Sequence, residues 1–510
     1  MGTWNAHNIR ILSRMQGETL MTYEFKLEPY NHQREIFEAT WQKHWYAFFL
    51  EMGTGKSKIA IDTMGALFEN GDIDTALIIA PKGVYDNWVK KEIPTHLPDR
   101  IDCRVVRWNP AFTKGFRESL TKIAVPDQRE EKTLSILVMN VEALSTSKGS
   151  ESAIKYLNLN PNNLVIVDES TTIKTHTAKR TKNALRIARQ AKYRRILTGS
   201  PITKDPMDLY SQCDFLSANA LGFKSYYSFR ARYAVLVKQH KKGGGHFPMV
   251  VGFRNLEELG KKLDKFSSRV LKKDCLDLPE KIYLRREVPL TTEQNKLYVQ
   301  MREMALAKIR DGILTTTNNI LTQIMRLQQI TCGFVQPDDG PIEPIKNNRV
   351  QELLDILQET SGKVIIWASF TYDIHRIHTE LSLAYGSDSV AMYYGGTPQD
   401  ERQEIVERFQ DENSSLQYFV GQPATAGFGI TLTAAHTVVY YSNTYDLEKR
   451  VQSEDRAHRI GQNTAVTYID IVSPNTVDER VLEALTKKDK TASKVLGEEF
   501  KTWISEPKLL

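Results

Sequence analysis

Short runs of apolar residues recur along the chain, and longer segments of polar, helix-like composition separate them. Uninterrupted runs rich in Val and Ile are typical of strands in a parallel sheet that helices cover on both faces. The runs form two series with a stretch of different composition between them, so the pattern predicts an α/β fold with two parallel-sheet lobes in tandem. The first series lies at residues 46–50, 76–80, 135–138, 164–167 and 195–198, and the second at 363–369, 390–394, 417–420, 437–442 and 466–472.

The stretch between the two series is rich in Lys, Arg, Gln and Leu and contains few strand-like runs. This composition predicts helical insertions and a linker near residues 278–287 rather than more sheet. Residues 1–21 show no clear periodicity, and we expect either a flexible extension there or a natural start at the second methionine, Met21. The predicted divisions are an extension at 1–21, a first lobe at 22–215, a basic helical insertion at 216–278, a linker with a second helical insertion at 279–345, a second lobe at 346–485 and a tail at 486–510.

The positive charge of the chain is concentrated in one segment. The 510 residues carry a net charge of only +6, whereas residues 221–280 hold 13 Lys or Arg against 6 Asp or Glu. A basic block on a nearly neutral body is what a surface that contacts phosphates would show, with Lys241 and Lys242 as its candidate contacts. The alternative interpretation is a solvated helical face without a ligand.

Cysteine usage argues against a metal-cluster or disulfide-rich protein, and hydropathy argues against a membrane protein. The four cysteines are far apart and form no CxxC pair, so we expect reduced thiols and neither a metal cluster nor a disulfide framework. No apolar run approaches the roughly 20 residues of a membrane span, and we expect no secretory signal in the first residues. We therefore expect no membrane partner and a cytoplasmic location.

A glycine-rich segment, EMGTGKS at 51–57, directly follows the first apolar run and precedes a helical pattern. Glycines let backbone amides approach phosphate oxygens, and a helix N-terminus adds partial positive charge. Lys56 would then reach the β- and γ-phosphates of ATP, and Ser57 would bind Mg²⁺. Leu50 stands where the general P-loop pattern has its first glycine. The other residues expected to line the phosphates are Met52, Gly53, Thr54 and Gly55.

Two adjacent carboxylates end the apolar run at 164–167. Asp168 is suited to hold Mg²⁺, and Glu169 is suited to polarise the water that attacks the γ-phosphate. An acidic turn after a strand is the structural alternative. The distance from the glycine-rich segment leaves room for three intervening strands, as a shared nucleotide site requires.

Two arginines, Arg456 and Arg459, are three residues apart and are predicted to share one face of a helix. Guanidinium groups that reach across a cleft stabilise the charge that develops on a transferred phosphoryl group. Paired arginines on a helix are more often surface ion-pair residues, so this assignment depends on the rest of the site.

The chain resembles the SWI/SNF-like branch of superfamily-two helicases, the ATPase engine of chromatin remodellers. The matching segments are LEPYNHQ at 27–33, EMGTGKS at 51–57, IAPK at 79–82 with Trp88, DESTTIK at 168–174, LTGSP at 197–201, YGG at 394–396, AGFGITL at 426–432 and DRAHRIGQ at 455–462. The resemblance implies two RecA-like lobes with helical insertions between them. The chain departs from the branch at Thr171, Ser57, Ser200, Phe428 and Thr431, which leaves the efficiency of coupling and the preferred strand type open.

The resemblance also implies roles for individual residues. Gln33 would recognise adenine, Gly429 and Gln452 would line the cleft from the second lobe, and Thr198 would couple the nucleotide site to nucleic acid. The residues expected to grip the phosphate backbone are Pro81, Lys82 and Asn140 in the first lobe and Gly395 and Thr397 in the second.

The expected function is an ATP- and Mg²⁺-dependent motor that moves along double-stranded or branched DNA and remodels DNA structures or displaces bound protein. A single chain would be the minimal unit, and protein partners are not predicted. An RNA helicase, a motor subunit of a restriction system and an ATP-sensing scaffold without turnover are the alternatives. The complete set of Lys56, both carboxylates and both arginines argues against the scaffold.

Overall fold

The computed structural model describes residues 23–82, 84–128, 132–203, 205–240, 246–275, 279–310, 317–337, 340–426, 430–444, 446–459 and 461–485. In this part of the chain, no helix has the length and apolar character needed to cross a membrane.

Seventeen strands are present in the described residues, and all ten predicted apolar runs coincide with one of them. The strands are β1 (Trp45–Leu50), β2 (Thr75–Ala80), β3 (Cys103–Arg107), β4 (Leu134–Asn140), β5 (Asn163–Asp168), β6 (Tyr193–Leu197), β7 (Ala234–His240), β8 (His246–Phe253), β9 (Ser267–Val270), β10 (Lys281–Glu287), β11 (Phe334–Val335), β12 (Glu343–Pro344), β13 (Lys363–Trp367), β14 (Val390–Tyr393), β15 (Tyr418–Gly421), β16 (Ala435–Tyr440) and β17 (Val466–Val472).

Helices alternate with these strands, as the composition of the polar segments predicts. They are α1 (Asn31–Thr40), α2 (Lys56–Glu69), α3 (Tyr85–Asn87), α4 (Ile93–His96), α5 (Lys114–Ala124), α6 (Ser147–Leu159), α7 (Lys179–Ala188), α8 (Leu209–Leu216), α9 (Tyr226–Tyr233), α10 (Leu256–Leu263), α11 (Lys272–Cys275), α12 (Thr292–Arg310), α13 (Thr317–Cys332), α14 (Arg349–Glu359), α15 (Thr371–Tyr385), α16 (Gln399–Gln410), α17 (Pro423–Ala426) and α18 (Leu447–Glu454).

The first lobe is built on a seven-stranded sheet in the order β3-β4-β2-β5-β6-β1-β9, and every neighbouring pair is parallel. Strands β2, β4 and β5 are almost entirely buried, because helices pack on both faces of the sheet. Two separate apolar clusters line the two faces. Three strands, β2, β3 and β4, occupy the interval between the glycine-rich segment and the carboxylates, which has room for that number.

The second lobe has a six-stranded sheet in the order β10-β17-β16-β13-β15-β14, again with parallel neighbours throughout. Apolar clusters on both of its faces give it a core of its own. The predicted fold class, two RecA-like parallel-sheet lobes in tandem, is confirmed. In such sheets the loops after the carboxyl ends of the strands form the ligand-binding edge.

The prediction that residues 216–278 form a helical insertion is wrong in part. Helices α9 and α10 lie there, but so do the antiparallel hairpin of β7 and β8 and the strand β9, which joins the first-lobe sheet beside β1. The Lys and Arg content of the segment suggested helix, whereas the β-branched residues Val235, Val237, Val250 and Val251 favour strands. The tip of this hairpin, with Lys241 and Lys242, lies outside the described residues.

The predicted linker near residues 278–287 is also corrected. Residues Lys281–Glu287 form β10, an edge strand that pairs with β17 along its full length. In the segment predicted to hold the second helical insertion, α12 and α13 follow β10 and pack against each other. Both sheets therefore extend beyond the predicted lobes. The sheet of the first lobe includes β9, after the predicted end of that lobe, and the sheet of the second lobe includes β10, before its predicted start.

Candidate functional site

The glycine-rich segment forms a tight loop between β1 and α2. Gly53 and Gly55 have φ values of 82° and 91°, in the left-handed region that favours glycine, and α2 begins at Lys56. A methyl group on Gly55 would lie 2.1 Å from Nε2 of Gln33, so glycine is required there for contact as well as conformation. The loop thus presents backbone amides at a helix N-terminus, which is the arrangement that binds anionic phosphates.

Helix α1 holds this loop from one side. Nε2 of Gln33 donates to the Thr54 carbonyl over 3.1 Å, and Nε2 of His32 lies 2.8 Å from the same oxygen. Gln33 is 4% exposed, and its Oε1 accepts from the Tyr30 amide, so its side chain is fixed. The structure therefore brings Gln33 to the loop, as the resemblance predicts, although its role toward adenine stays a prediction.

Lys56 points along the loop toward the end of β5. Its Nζ is 3.4 Å from the Glu51 carbonyl. Burial lowers the pKa of Lys56, and the nearby carboxylates of Glu169 and Asp168 oppose that shift. The lysine and both carboxylates therefore share one electrostatic environment, as a common nucleotide site requires.

The carboxylates lie at the carboxyl end of β5, where Asp168 is 6% and Glu169 is 7% exposed. Oδ1 of Asp168 accepts from the Glu169 amide at 3.0 Å, and Oδ2 accepts from the indole Nε1 of Trp88 at 2.8 Å. Burial raises the pKa of Asp168, and the Trp88 hydrogen bond opposes this rise. Sequence analysis matched Trp88 to a family segment but did not place it at the carboxylates.

Glu169 has a φ of 48°, a left-handed conformation that is uncommon for a residue with a side chain and that occurs at functional sites. Its Oε2 accepts from the Thr198 hydroxyl at 3.2 Å. Burial, with Asp168 and Glu448 nearby, raises the pKa of Glu169. Thr198 is fully buried, so in this conformation it contacts the carboxylate and not the protein surface.

The two arginines face this loop from the second lobe. Helix α18 ends at Glu454, so Arg456 and Arg459 lie in the turn after the helix, and the prediction that they share a helix face is corrected. They still converge, because both donate to the Ile430 carbonyl, at 3.2 and 3.3 Å. Nη2 of Arg456 is 3.3 Å from Sδ of Met52, which places it directly against the glycine-rich loop.

Arg459 reaches the same loop one residue further on. A methyl group on Gly53 would lie 3.5 Å from Cβ of Arg459. Burial lowers the pKa of Arg456 to about 10, with the charge of Arg459 contributing, so Arg456 stays cationic near neutral pH. The structure therefore brings Lys56, the two carboxylates and both arginines to one interface between the lobes.

Glu448 on α18 connects the lobes beside Glu169. It accepts from the Thr171 hydroxyl at 2.7 Å and from Nζ of Lys174 at 3.4 Å. Nε2 of Gln452 donates to the same carboxylate at 3.2 Å, so the predicted cleft residue Gln452 lies in this network. Thr171, one of the departures from the family pattern, therefore makes a direct contact between lobes.

Lys272 forms a second connection that sequence analysis missed. Its amide donates to Glu51 at the start of the glycine-rich loop, at 2.7 Å. Its Nζ donates to Oδ1 of Asp455 and to the His458 carbonyl, both at 2.6 Å. Both charged side chains are 6% exposed, so the pair is nearly free of solvent. This lysine holds the arginine-bearing turn against the first lobe.

The predicted first-lobe contacts to nucleic acid lie at the same sheet edge. Ala80 pairs with Asn140 in the register of β2 and β4, so Pro81 and Lys82 lie next to Asn140 at the carboxyl ends of these strands. Lys82 is exposed, Pro81 is buried, and Asn140 donates to Glu142 at 3.0 Å.

In the second lobe, Gly395 and Thr397 follow β14 at the corresponding edge. Gly395 is exposed, whereas Thr397 is buried and its hydroxyl donates to the Met392 carbonyl at 3.1 Å. Gly429, like Lys241 and Lys242, lies outside the described residues.

Residues that could hold a metal ion are few in this region. Within the described ranges, no group of three His, Cys, Asp or Glu side chains could by itself enclose an ion. The oxygen atoms of Ser57, at the start of α2, and Asp168 are the kind of ligands that Mg²⁺ takes from a protein when phosphates and water complete its shell. These residues therefore fit Mg²⁺ bound together with a nucleotide.

Two family models match the chain in tandem. Residues 36–334 match the SNF2-related domain, and residues 345–461 match the helicase conserved C-terminal domain. The first model alone covers more than half of the chain.

Similar proteins come from distant organisms. The chain is 28% identical over 457 residues to an uncharacterized ATP-dependent helicase of Mycoplasma genitalium, covering 88% of this chain and 40% of that protein. It is 25% identical over 477 residues to the transcription regulatory protein SNF2 of Saccharomyces cerevisiae, covering 88% and 26%. The chain thus spans about two fifths or less of the length of these relatives.

Among solved structures, the SWI2/SNF2 ATPase core of Sulfolobus solfataricus in complex with dsDNA is similar at 23% identity. The similarity covers 95% of this chain and 97% of that one, with a TM-score of 0.41.

Proposed function

The chain belongs to the SNF2-related domain family, and from that premise we propose that it is an ATP-hydrolysing motor that moves along double-stranded DNA. The observation that supports the proposal most directly is the position of Arg456 against Met52. It brings the arginine-bearing turn of one lobe to the phosphate-binding loop of the other. A nucleotide held there would touch both lobes at once.

Each residue of the nucleotide site has a proposed task. Lys56 neutralises the β- and γ-phosphates, and Glu169 accepts a proton from the attacking water, a task suited to a carboxylate whose pKa is raised. Arg456 and Arg459 stabilise the charge that develops on the γ-phosphate. Ser57 and Asp168 would hold Mg²⁺, which supplies charge neutralisation at the phosphates when bound. Gln33 borders the loop where adenine would lie.

The proposed DNA track follows the carboxyl ends of the strands in both lobes. Lys82 and Asn140 offer a cation and an amide at neighbouring strands, and Gly395 offers an exposed backbone in the second lobe. Contacts of this kind are made to phosphates and carry no sequence information, so movement would be largely independent of sequence. Pro81 and Thr397 are buried and would shape the track without forming it.

Coupling between the track and the nucleotide would pass through Thr198. This buried residue follows β6 and donates to Glu169, so a shift of the strand-end loops changes the hydrogen bonding of the proposed base. Binding of ATP favours apposition of the lobes through Lys56 and the arginines, and loss of the γ-phosphate weakens it. Alternation between the two states with changing grip on DNA produces steps.

The proposal is tested by ATP hydrolysis in the presence of single-stranded, duplex, forked and four-way DNA and of double-stranded RNA, with Lys56→Ala as the inactive control. We expect duplex-containing DNA to stimulate turnover, and displacement of a third strand from a DNA triplex to show movement along the duplex. Stimulation by RNA alone would support an RNA helicase instead. Tight ATP binding without turnover under any condition would support a scaffold.

A further inference from the structure

Trp88 is a fully buried tryptophan that contacts the proposed metal-binding carboxylate directly. Its side chain is 0% exposed, and its indole Nε1 donates to Oδ2 of Asp168 at 2.8 Å. The two residues are 80 positions apart in sequence. A buried Trp N–H normally finds an acceptor, but here the acceptor is a carboxylate at the nucleotide site and not a structural carbonyl.

The backbone around Trp88 is specialised to reach this position. Residues Trp88–Glu92 form a π-helical turn between α3 and α4, and such wide turns are frequent at functional sites. With Oδ2 fixed by Trp88 and Oδ1 fixed by the Glu169 amide, both oxygens of Asp168 have a set direction. The plane of the carboxylate cannot rotate without breaking one of these bonds.

We propose that Trp88 is a positioning residue for Mg²⁺: its indole N–H orients the Asp168 carboxylate toward the metal of a bound nucleotide. This inference rests on the proposed function, because it concerns the metal that accompanies ATP. Carboxylate oxygens are good ligands for a hard cation, and the hydrogen bonds around them set the direction in which they face the metal. Partners that orient a metal ligand typically change metal affinity 10- to 100-fold when they are removed.

The chain provides a matched control in the other lobe. Trp367 at the end of β13 is also 0% exposed, but its indole Nε1 has no hydrogen-bond partner among the described residues. Trp88→Phe and Trp367→Phe therefore remove the same atoms from equally buried positions. Only the first change removes a hydrogen bond to a carboxylate, so a loss of packing and a loss of metal positioning can be told apart.

The test uses the full chain and a fluorescent ADP analogue as the probe. Its binding is measured in EDTA and then as a function of Mg²⁺ concentration, for the wild type and both variants. We expect Trp88→Phe to raise the Mg²⁺ concentration for half-maximal tightening about 10- to 100-fold, with metal-free binding unchanged. Trp367→Phe should match the wild type in both measurements. A Trp88→Phe curve within twofold of the wild type, or an equal shift in both variants, overturns the inference.

Failure of the proposed function gives a different result, because the wild type itself would then bind the probe with no response to Mg²⁺. If Trp88→Phe does not fold, the wild type labelled with ¹⁵N at the indoles serves instead. Mg²⁺ added to the ADP complex should shift the Trp88 N–H resonance and leave that of Trp367 in place. A Trp88 resonance that does not move overturns the inference equally.

Discussion

The ion pair between Lys272 and Asp455 should contribute strongly to stability, because it joins the lobes in a site almost without solvent. Lys272→Met removes two hydrogen bonds of 2.6 Å and leaves the Asp455 carboxylate buried. Breaking a buried pair by removing one partner costs about 3–5 kcal/mol. Asp455 keeps Lys281 at 3.7 Å, so we expect the lower end of this range, about 3 kcal/mol.

Urea unfolding measures this cost as a change in the free energy of unfolding. The double variant Lys272→Met/Asp455→Leu should recover most of the loss, since Lys281 still pairs with Glu454 at 3.0 Å and no buried charge is left alone. ATP turnover should stay impaired in both variants, because the arginine-bearing turn has lost its tether to the first lobe. Arg480→Met, which removes an exposed pair, should change stability by less than about 0.5 kcal/mol. A single variant within about 1 kcal/mol of the wild type, or a double variant no more stable than the single, would refute the reasoning.

Three further predictions concern single side chains. Arg456→Ala should lower the kcat of ATP hydrolysis by about 10³ or more in steady-state assays, and a loss below tenfold would exclude it as the group that stabilises the γ-phosphate charge. Thr198→Val, which removes the donor to Glu169, should weaken DNA stimulation roughly fivefold while unstimulated turnover changes less; equal losses in both rates would contradict a coupling role. Burial raises the pKa of Asp373 from 3.8 to about 7, so the folded state binds the extra proton between these values and stability falls as pH rises through this window. Asp373→Asn should remove that fall and raise the free energy of unfolding in urea by up to about 4 kcal/mol relative to the wild type at pH 8. Parallel pH profiles of stability for the variant and the wild type would disprove this.

The strands that sequence reasoning found and those it missed differ in their place in the sheet. Central strands such as β2 and β5 are buried on both faces and therefore read as continuous apolar runs. Three of the missed strands, β3, β9 and β10, are edges of the two large sheets with a single neighbour each; the fourth edge, β14, was found because residues 390–394 form an apolar run. The partly exposed positions of the three missed edges accept Arg, Lys and Ser, so no apolar run marks them.

At the site, sequence reasoning found the residues whose role is visible locally and missed those whose partners are distant in the chain. The glycine-rich loop and the two carboxylates are predicted because each is a short segment whose chemistry is complete in itself. Trp88, Lys272 and Glu448 were not placed there, since their partners are 80, 183 and 277 positions away. A single sequence carries no signal for such pairs. The arginine turn was predicted as helix because a three-residue spacing cannot distinguish a helix from the turn that ends it.

The connections between the lobes near the nucleotide site are polar, and this composition suits a joint that opens and closes. Glu448 with Thr171 and Lys174, Lys272 with Asp455, and Arg456 with Met52 are hydrogen bonds or ion pairs. Water can replace such partners when the lobes separate, so the net cost of breaking each hydrogen bond is about 0.5–1.5 kcal/mol. An apolar interface of the same extent would lose its full burial energy on opening. The buried Lys272 pair is the exception, because its loss leaves a charge without solvent. We therefore expect the Lys272–Asp455 pair to stay closed as a pivot while the contacts of Glu448 break and re-form.

A disulfide cross-link tests whether the Glu448 contacts separate during turnover. In the double variant Thr171→Cys/Glu448→Cys, oxidation should arrest ATP turnover while the chain still binds ATP. Continued turnover in the oxidised protein would show that these contacts do not separate.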